Sequence, residues 1–328
     1  MKTIMHSVIR AGLVAALLFG LLACRQQRDL TVLKLAHSLD TQHPVHLAID
    51  YLGERLRVHS GGKMQLDIYP GGQLGSERET MELLQIGSLA MTKVSASPME
   101  GFVPEMKIFS LPYVFRDNEH YWRVLEGDIG EQLLLAGESV FLRGIAYYDA
   151  GSRSFYSVDK PIRKPDDLIG MKMRVQQSQT SIQMVRAFGG AATPIAWGEL
   201  YTALQQGVVD GAENNPPSFY SSKHYEVAPY FSLNEHTMVP DILLISAYIW
   251  NKLSQQEQEW LQLAVDESVV YQRKLWRAST QEALEKVQAA GVQVIYPDKA
   301  AFAEKVLAMH EALKGTRSYE LLQAIKSQ

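Results

Sequence analysis

One cysteine, Cys24, is the only thiol in 328 residues, so no disulfide can close within the chain and its stability must come from packing. The 13 prolines and 23 glycines are scattered, and no low-complexity tract or flexible linker interrupts the sequence. The apolar run at the start, Ala11 to Ala23, has thirteen residues, short of the ~20 that a membrane-spanning helix needs. Basic charge is not in excess: beyond residue 24, 30 Lys and Arg face 36 Asp and Glu, a net charge of −6. An acidic body of this kind lacks the electrostatic footprint for nucleic acid, so any anionic ligand has to be held by locally placed arginines. Enzyme signatures are missing too: there is no Gly-x-Ser-x-Gly elbow, phosphate loop, dinucleotide fingerprint or His-Glu-x-x-His pair. His43 and His46 stand three apart, but no third ligand is spaced to join them. They are expected at a solvated helix start, with no metal or cofactor.

What is present is ordinary globular composition, 46% hydrophobic and 21% charged, and enough length for two domains, each with its own core. Lys2 and Arg10 precede the apolar run, which ends in Leu21-Leu22-Ala23-Cys24 and turns polar at Arg25. That pattern is a signal peptide in form and resembles a bacterial lipobox. The resemblance implies a lipoprotein-type signal peptide over residues 1–24, whose Cys24 is diacylated, becomes the mature amino terminus and tethers a periplasmic protein to a membrane.

Thr31 to Ala36 alternates as a strand. A helix follows from Pro44, with Val45, Ala48, Ile49, Leu52 and Leu56 at helical spacing, and Lys63 to Tyr69 alternates again. Strand, helix, strand with short connections is the start of an α/β sheet. Ser76 with Glu79 makes a capping box opening a helix to about Ile86, and Leu89 to Val94 returns as a strand. Residues 190–211 echo this unit. Leu204-Gln205-Gln206-Gly207 stands where Leu84-Gln85-Ile86-Gly87 does, which predicts two lobes of related design. A second capping box, Ser254 with Glu257, opens a run without Pro or Gly to Ala290, and Gly291 is its terminator. Some 36 residues reach ~54 Å, so this helix is expected to span both lobes. A strand over 292–296 and two last helices complete the chain.

Ligands of open α/β sheets bind beyond the carboxyl ends of the strands, where His37-Ser38, Lys93 to Ser95, Arg174 to Gln177 and Glu213-Asn214-Asn215 are expected. Arg174 closes a short apolar strand, a costly place for an unpaired charge. Its planar fork fits a carboxylate, and that carboxylate can equally be a ligand's or an Asp or Glu of the protein. Asn214 can donate to the same group. Arg153 is expected at the first crossing between lobes. Trp197 offers a flat apolar face to a sugar ring or to the core.

Gln73-Leu74-Gly75-Ser76-Glu77-Arg78-Glu79, Leu111-Pro112-Tyr113, Gly170-Met171-Lys172-Met173-Arg174-Val175 and Val209-Asp210-Gly211-Ala212-Glu213-Asn214 resemble, in order and spacing over residues 30–315, the TRAP-transporter solute receptors of the DctP type. The resemblance implies two α/β lobes, two crossing strands and one long helix braced across both, with an organic acid delivered to sodium-coupled TRAP permease subunits. It divides the chain into a first lobe of residues 25–150 plus 239–278 and a second of 151–238 plus 279–328. It implies that Arg174 clamps the ligand carboxylate with Asn214 assisting, and it matches Arg153 and Trp197 to the family's crossing arginine and aromatic. Val175-Gln176-Gln177 and Ser95 depart from sialate receptors. Gln176-Gln177-Ser178, Asn214-Asn215-Pro216-Pro217-Ser218 and Glu235-His236-Thr237-Met238-Val239-Pro240 resemble the branch that binds hexuronates such as glucuronate and galacturonate. In that branch His37, Glu77, Lys93 and Gln177 are candidates for the sugar hydroxyls. The competing function is an exported lyase or hydrolase with His37 or Glu77 as its base, and a protein feeding a sensor kinase could share the pocket.

Overall fold

Three strands and two helices in the order read from the sequence open the computed structural model, which describes residues 30–328; the lipidation assignment at Cys24 lies outside them. β1 (Thr31–Ala36) and β2 (Met64–Tyr69) pair in parallel around the helix Pro44–His59. That helix buries Val45, Ala48, Ile49, Leu52 and Leu56 on one face, the stripe its 3.6-residue period lays down. Ser76 accepts from the Glu79 backbone while the Glu79 side chain accepts from that of Ser76, so the helix Glu77–Gln85 begins with both donors satisfied. It leads to β3 (Met91–Ser95).

The first sheet runs β2-β1-β3-β10-β4, with β4 at Leu142–Tyr148 and β10 at Asp241–Ser246, antiparallel to both neighbours. The second runs β11-β9-β5-β8-β6-β7. Its strands are β5 (Arg153–Ser157), β6 (Lys172–Val175), β7 (Ala191–Pro194), β8 (Gly211–Asn214), β9 (Tyr230–Thr237) and β11 (Gln293–Ile295). Each sheet contains the same parallel unit, order 2-1-3 in one and 7-6-8 in the other. Gly87 and Gly207 stand at equivalent helix ends with φ of 72° and 67°, so the short Leu-Gln-x-Gly echo marks a true structural repeat.

The sheets are joined by residues 149–152 between β4 and β5 and by residues 238–240 between β9 and β10. Tyr148 pairs with Asp241 on one side of this gap and Arg153 with Thr237 on the other. The helix Gln255–Ala289, 35 residues and ~52 Å long, runs from one lobe to the other. Leu261, Ala264 and Val265 pack with Leu52 and Leu56, whereas Leu284 and Val287 pack with Phe219 and Phe231. Buried Gln272 braces the first crossing: the Asp149 N–H donates to its Oε1 at 2.8 Å, and its Nε2 donates to the Asp149 carbonyl at 2.8 Å, satisfying backbone groups that no sheet serves. Gly151 takes φ +57° there, and a Cβ would lie 3.0 Å from the Trp276 indole nitrogen, so a side chain would strain the backbone and crowd the indole.

The carboxyl terminus departs from the sequence reading. The division by resemblance places residues 279–328 in the second lobe, yet Leu321, Leu322 and Ile325 of the helix Arg317–Lys326 sit in the first lobe's core with Ile108 and Phe109. His120 Nε2 meets the Ile325 carbonyl at 2.9 Å. The apolar stripe of this helix shows that it packs, and nothing in its own sequence says on which lobe. Three helices rather than two follow β11, at Lys299–Lys305, Leu307–Glu311 and Arg317–Lys326.

Candidate functional site

The carboxyl ends of β3, β6 and β8 open on a cleft of about 270 Å³ between the two sheets, the crevice where α/β sheets present ligand-facing groups. Arg174, at the end of β6, is 3% exposed and lines this cleft. Its Nε donates to the Ile195 carbonyl at 2.9 Å, and its guanidinium carbon lies 5.9 Å from the centre of the Trp197 ring. No acidic side chain among the described residues forms an ion pair with it, and burial, the largest influence, lowers its pKa. An arginine stripped of water and left without an acid is a standing demand for an anion.

The internal ion pair that competed for Arg174 belongs instead to Arg153. Arg153 Nη2 donates to Glu213 Oε1 at 2.9 Å and to the Glu213 carbonyl at 2.8 Å, its Nε donates to Glu213 Oε2, and its Nη1 donates to Asn214 Oδ1 at 2.9 Å. Burial would raise the Glu213 pKa, but Arg153 and His236 together hold it at about 2. Burial would likewise weaken Arg153's hold on its proton, and Glu213 more than offsets that. Asn214 Oδ1 also accepts from the Asn215 backbone at 2.9 Å, which leaves its amide nitrogen as the group with donors to spare. This wall of the cleft therefore carries the neutralised pair Arg153–Glu213 and a cation, Arg174, that no acid among the described residues neutralises.

The facing wall has the opposite balance. Lys93 donates to Glu77 Oε1 at 3.3 Å and to Asp241 Oδ1 at 3.2 Å, one buried cation between two acids. Burial works against the Lys93 charge and the two acids more than restore it. Burial raises Asp241 to about 6, with Lys93 opposing. Asp241 and Glu213 escaped the sequence reading as partners. The signal for Asp241 was there: one acid after Pro240 opens the apolar stretch Ile242 to Ile245, where a charge needs a counterion.

Trp197, half-buried in a 3₁₀ turn over Trp197–Glu199, and Gln177, exposed, both line the cleft, as do Glu77, Lys93, Arg153 and Asn214. His37 does not. It is 2% exposed, its Nε2 meets His46 Nδ1 at 3.0 Å and its Nδ1 accepts from the Leu39 backbone at 3.2 Å. Burial, then Lys93 and His46, lower its pKa to about 3, so it is a neutral internal ring. His43 and His46 are buried as well, contrary to the solvated helix start read from the sequence. His43 Nδ1 caps the helix by accepting from Val45 N at 3.2 Å, and its Nε2 meets Ser218 Oγ of the other lobe at 3.1 Å. The second lobe, absent from any local reading, covers His43, and His46 is buried against His37.

A model for the bacterial extracellular solute-binding proteins, family 7, matches residues 35–315. The chain belongs to this family. A solved TRAP periplasmic solute-binding protein from Bradyrhizobium sp., in complex with α/β-D-galacturonate, is 39% identical with a TM-score of 0.88, over 90% of this chain and 99% of that one. One from Chromohalobacter salexigens, with bound D-glucuronate, is 31% identical with a TM-score of 0.87, over 90% and 99%. The C4-dicarboxylate-binding periplasmic protein of Rhodobacter capsulatus is 28% identical over 301 residues, 90% of each chain. Members of the family bind solutes, and this chain is a TRAP solute receptor with the two-lobed fold; the reading as an exported lyase or hydrolase falls.

Proposed function

We propose that the receptor binds a hexuronate, glucuronate or galacturonate, and delivers it to a sodium-coupled TRAP permease. Its carboxylate pairs with the fork of Arg174 and takes a further hydrogen bond from the Asn214 amide. The ring lies along Trp197, and its hydroxyls meet Gln177 and the Lys93, Glu77 and Asp241 group. The observation that carries this reading is Arg174, buried on the cleft with no acid paired to it among the described residues. The acid-rich opposite wall suits hydroxyl donors and opposes a second carboxylate. Solved relatives carrying galacturonate and glucuronate support the branch.

In a thermal-shift panel a hexuronate should raise the melting temperature more than sialate, succinate or a neutral hexose. The hexose lacks the carboxylate and leaves Arg174 unpaired, which is why rejection is expected rather than weak binding. A hexose stabilising as well as its uronate would sink the reading, and succinate ranking first would move the receptor to the dicarboxylate branch.

Anchoring through lipidated Cys24 belongs to the same proposal. Made in a Gram-negative host, the protein should fractionate with membranes, and Cys24→Ser should release it or block its processing. Recovery of the wild type in the soluble periplasmic fraction with an unmodified amino terminus would remove the anchor.

A further inference from the structure

We infer that Glu100 is a clasp: it holds the two lobes together at the mouth of the cleft and sets how fast bound ligand leaves, without touching that ligand. The inference rests on the cleft being the ligand site. Glu100 follows the short helix Ala96–Met99, which continues directly from β3. It is half-buried and does not line the cleft, whereas Ser95 and Pro98 just before it do. Its Oε2 accepts from Ser178 Oγ at 2.6 Å and from the Thr180 backbone N–H at 3.2 Å, and its Oε1 accepts from Thr180 Oγ1 at 2.8 Å.

All three donors belong to the other lobe. Ser178 caps the helix Gln179–Ala187, and Thr180 is its second residue, only a few positions beyond Arg174. The backbone N–H of Thr180 has no partner within its helix, and the positive end of the helix favours a carboxylate there. Ser178 Oγ also accepts from Ser181 N at 3.0 Å, so the helix keeps its own cap whether or not Glu100 is present. The contact can therefore break without unfolding either lobe.

The other hydrogen bonds from first-lobe side chains and loops to the second lobe are neutral: Ser95 Oγ to Gln176 Oε1 at 3.3 Å, His43 Nε2 with Ser218 Oγ at 3.1 Å, and Tyr113 N–H and Oη to the His236 and Asn234 carbonyls at 2.9 and 3.0 Å. Hydrogen bonds to an ionised acceptor are roughly twice as strong as neutral ones. Among the described residues, the ion pairs stay within one lobe or join it to the long helix. That leaves Glu100 as the strongest polar bond between the walls. It sits one short helix beyond β3, and its donors sit one turn beyond β6. A hinge movement that separates Lys93 from Arg174 must pull Glu100 off the helix terminus first.

The test is stopped-flow kinetics on the full chain with D-glucuronate and D-galacturonate. Glu100→Ala should speed dissociation about ten- to hundred-fold and leave association within about threefold, since affinity changes reside mostly in dissociation. The ligand-free melting temperature should not move. Ser178→Ala combined with Thr180→Val should accelerate dissociation similarly from the other side, and adding Glu100→Ala to that pair should change little more. Glu100→Gln, which keeps an acceptor oxygen and loses the charge, should fall between. Unchanged dissociation in Glu100→Ala, strictly additive effects, or a loss tracking the ligand-free melting temperature would overturn the clasp. A wild-type protein that no uronate stabilises would overturn the uronate reading alone, and the same kinetics would then be read with whichever acid of the panel raises its melting temperature.

Discussion

Arg174→Ala should lower affinity for the hexuronate roughly thirty-fold to several thousand-fold while the empty protein still folds. Truncating one partner of a desolvated, hydrogen-bonded charge pair typically costs ~2–5 kcal/mol, which converts to that range. Arg174 meets the conditions: it is 3% exposed, and among the described residues its side chain donates from Nε to the Ile195 carbonyl alone. Because no acid among the described residues pairs with it, its charge is a burden to the unliganded state. The ligand-free melting temperature of the variant should therefore stay near that of the wild type. Arg174→Lys keeps a charge but not the fork, and should still bind weakly. Calorimetric titration and melting of both variants decide the matter. Near wild-type affinity in a folded Arg174→Ala protein would end the carboxylate-clamp proposal, and a collapse of its ligand-free stability would make the residue structural.

Arg153→Ala should do the reverse, with a smaller loss of affinity and a large loss of stability. Breaking a buried ion pair by removing one partner costs about 3–5 kcal/mol, because the remaining charge stays buried. The charge left behind is Glu213, 2% exposed. The pH dependence separates this cause from simple loss of packing. In the wild type the Glu213 pKa is depressed from 4.5 to about 2, so the pair's contribution is complete above 4.5 and disappears as pH falls toward 2. In the variant, burial pushes the same carboxyl upward with only His236 left to oppose it, so the charged form is what destabilises. The melting-temperature deficit of the variant should then shrink as pH falls from 8 toward 5. A deficit that is constant with pH, or a variant as stable as the wild type, would contradict the assignment.

Much of the chain could be read locally, since the deciding interactions span three or four residues. The capping boxes at Ser76 with Glu79 and Ser254 with Glu257 form as their spacing demands, and the long helix ends at Gly291, whose φ is +97°. The repeated Leu-Gln-x-Gly ends mark two units of the same strand order. The polar residues clustered at strand ends also pointed to the cleft, because a strand's direction determines which edge its last residue reaches.

Local patterns were therefore enough for the two repeated strand–helix–strand units, the long helix and most of the polar residues that line the cleft. Tertiary structure decided how those charges are shared. Arg153 and Arg174 each stand in a strand and each suited a carboxylate. Only the pairing of β5 with β8 puts Ser154 opposite Asn214 and brings Glu213 to Arg153 across 60 residues, leaving Arg174 as the free cation. His37 was a candidate for the cleft until the fold turned it toward His46, and His43 looked solvated until the second lobe covered it. Asp241 meets Lys93 across 148 residues, and the helix Arg317–Lys326 returns to the first lobe's core. Burial sets the energy in each case, and in all but the His37–His46 contact the partner is distant in the chain. A buried charge is stabilised by whichever counterion the fold brings within about 4 Å, and no spacing along the sequence records that distance.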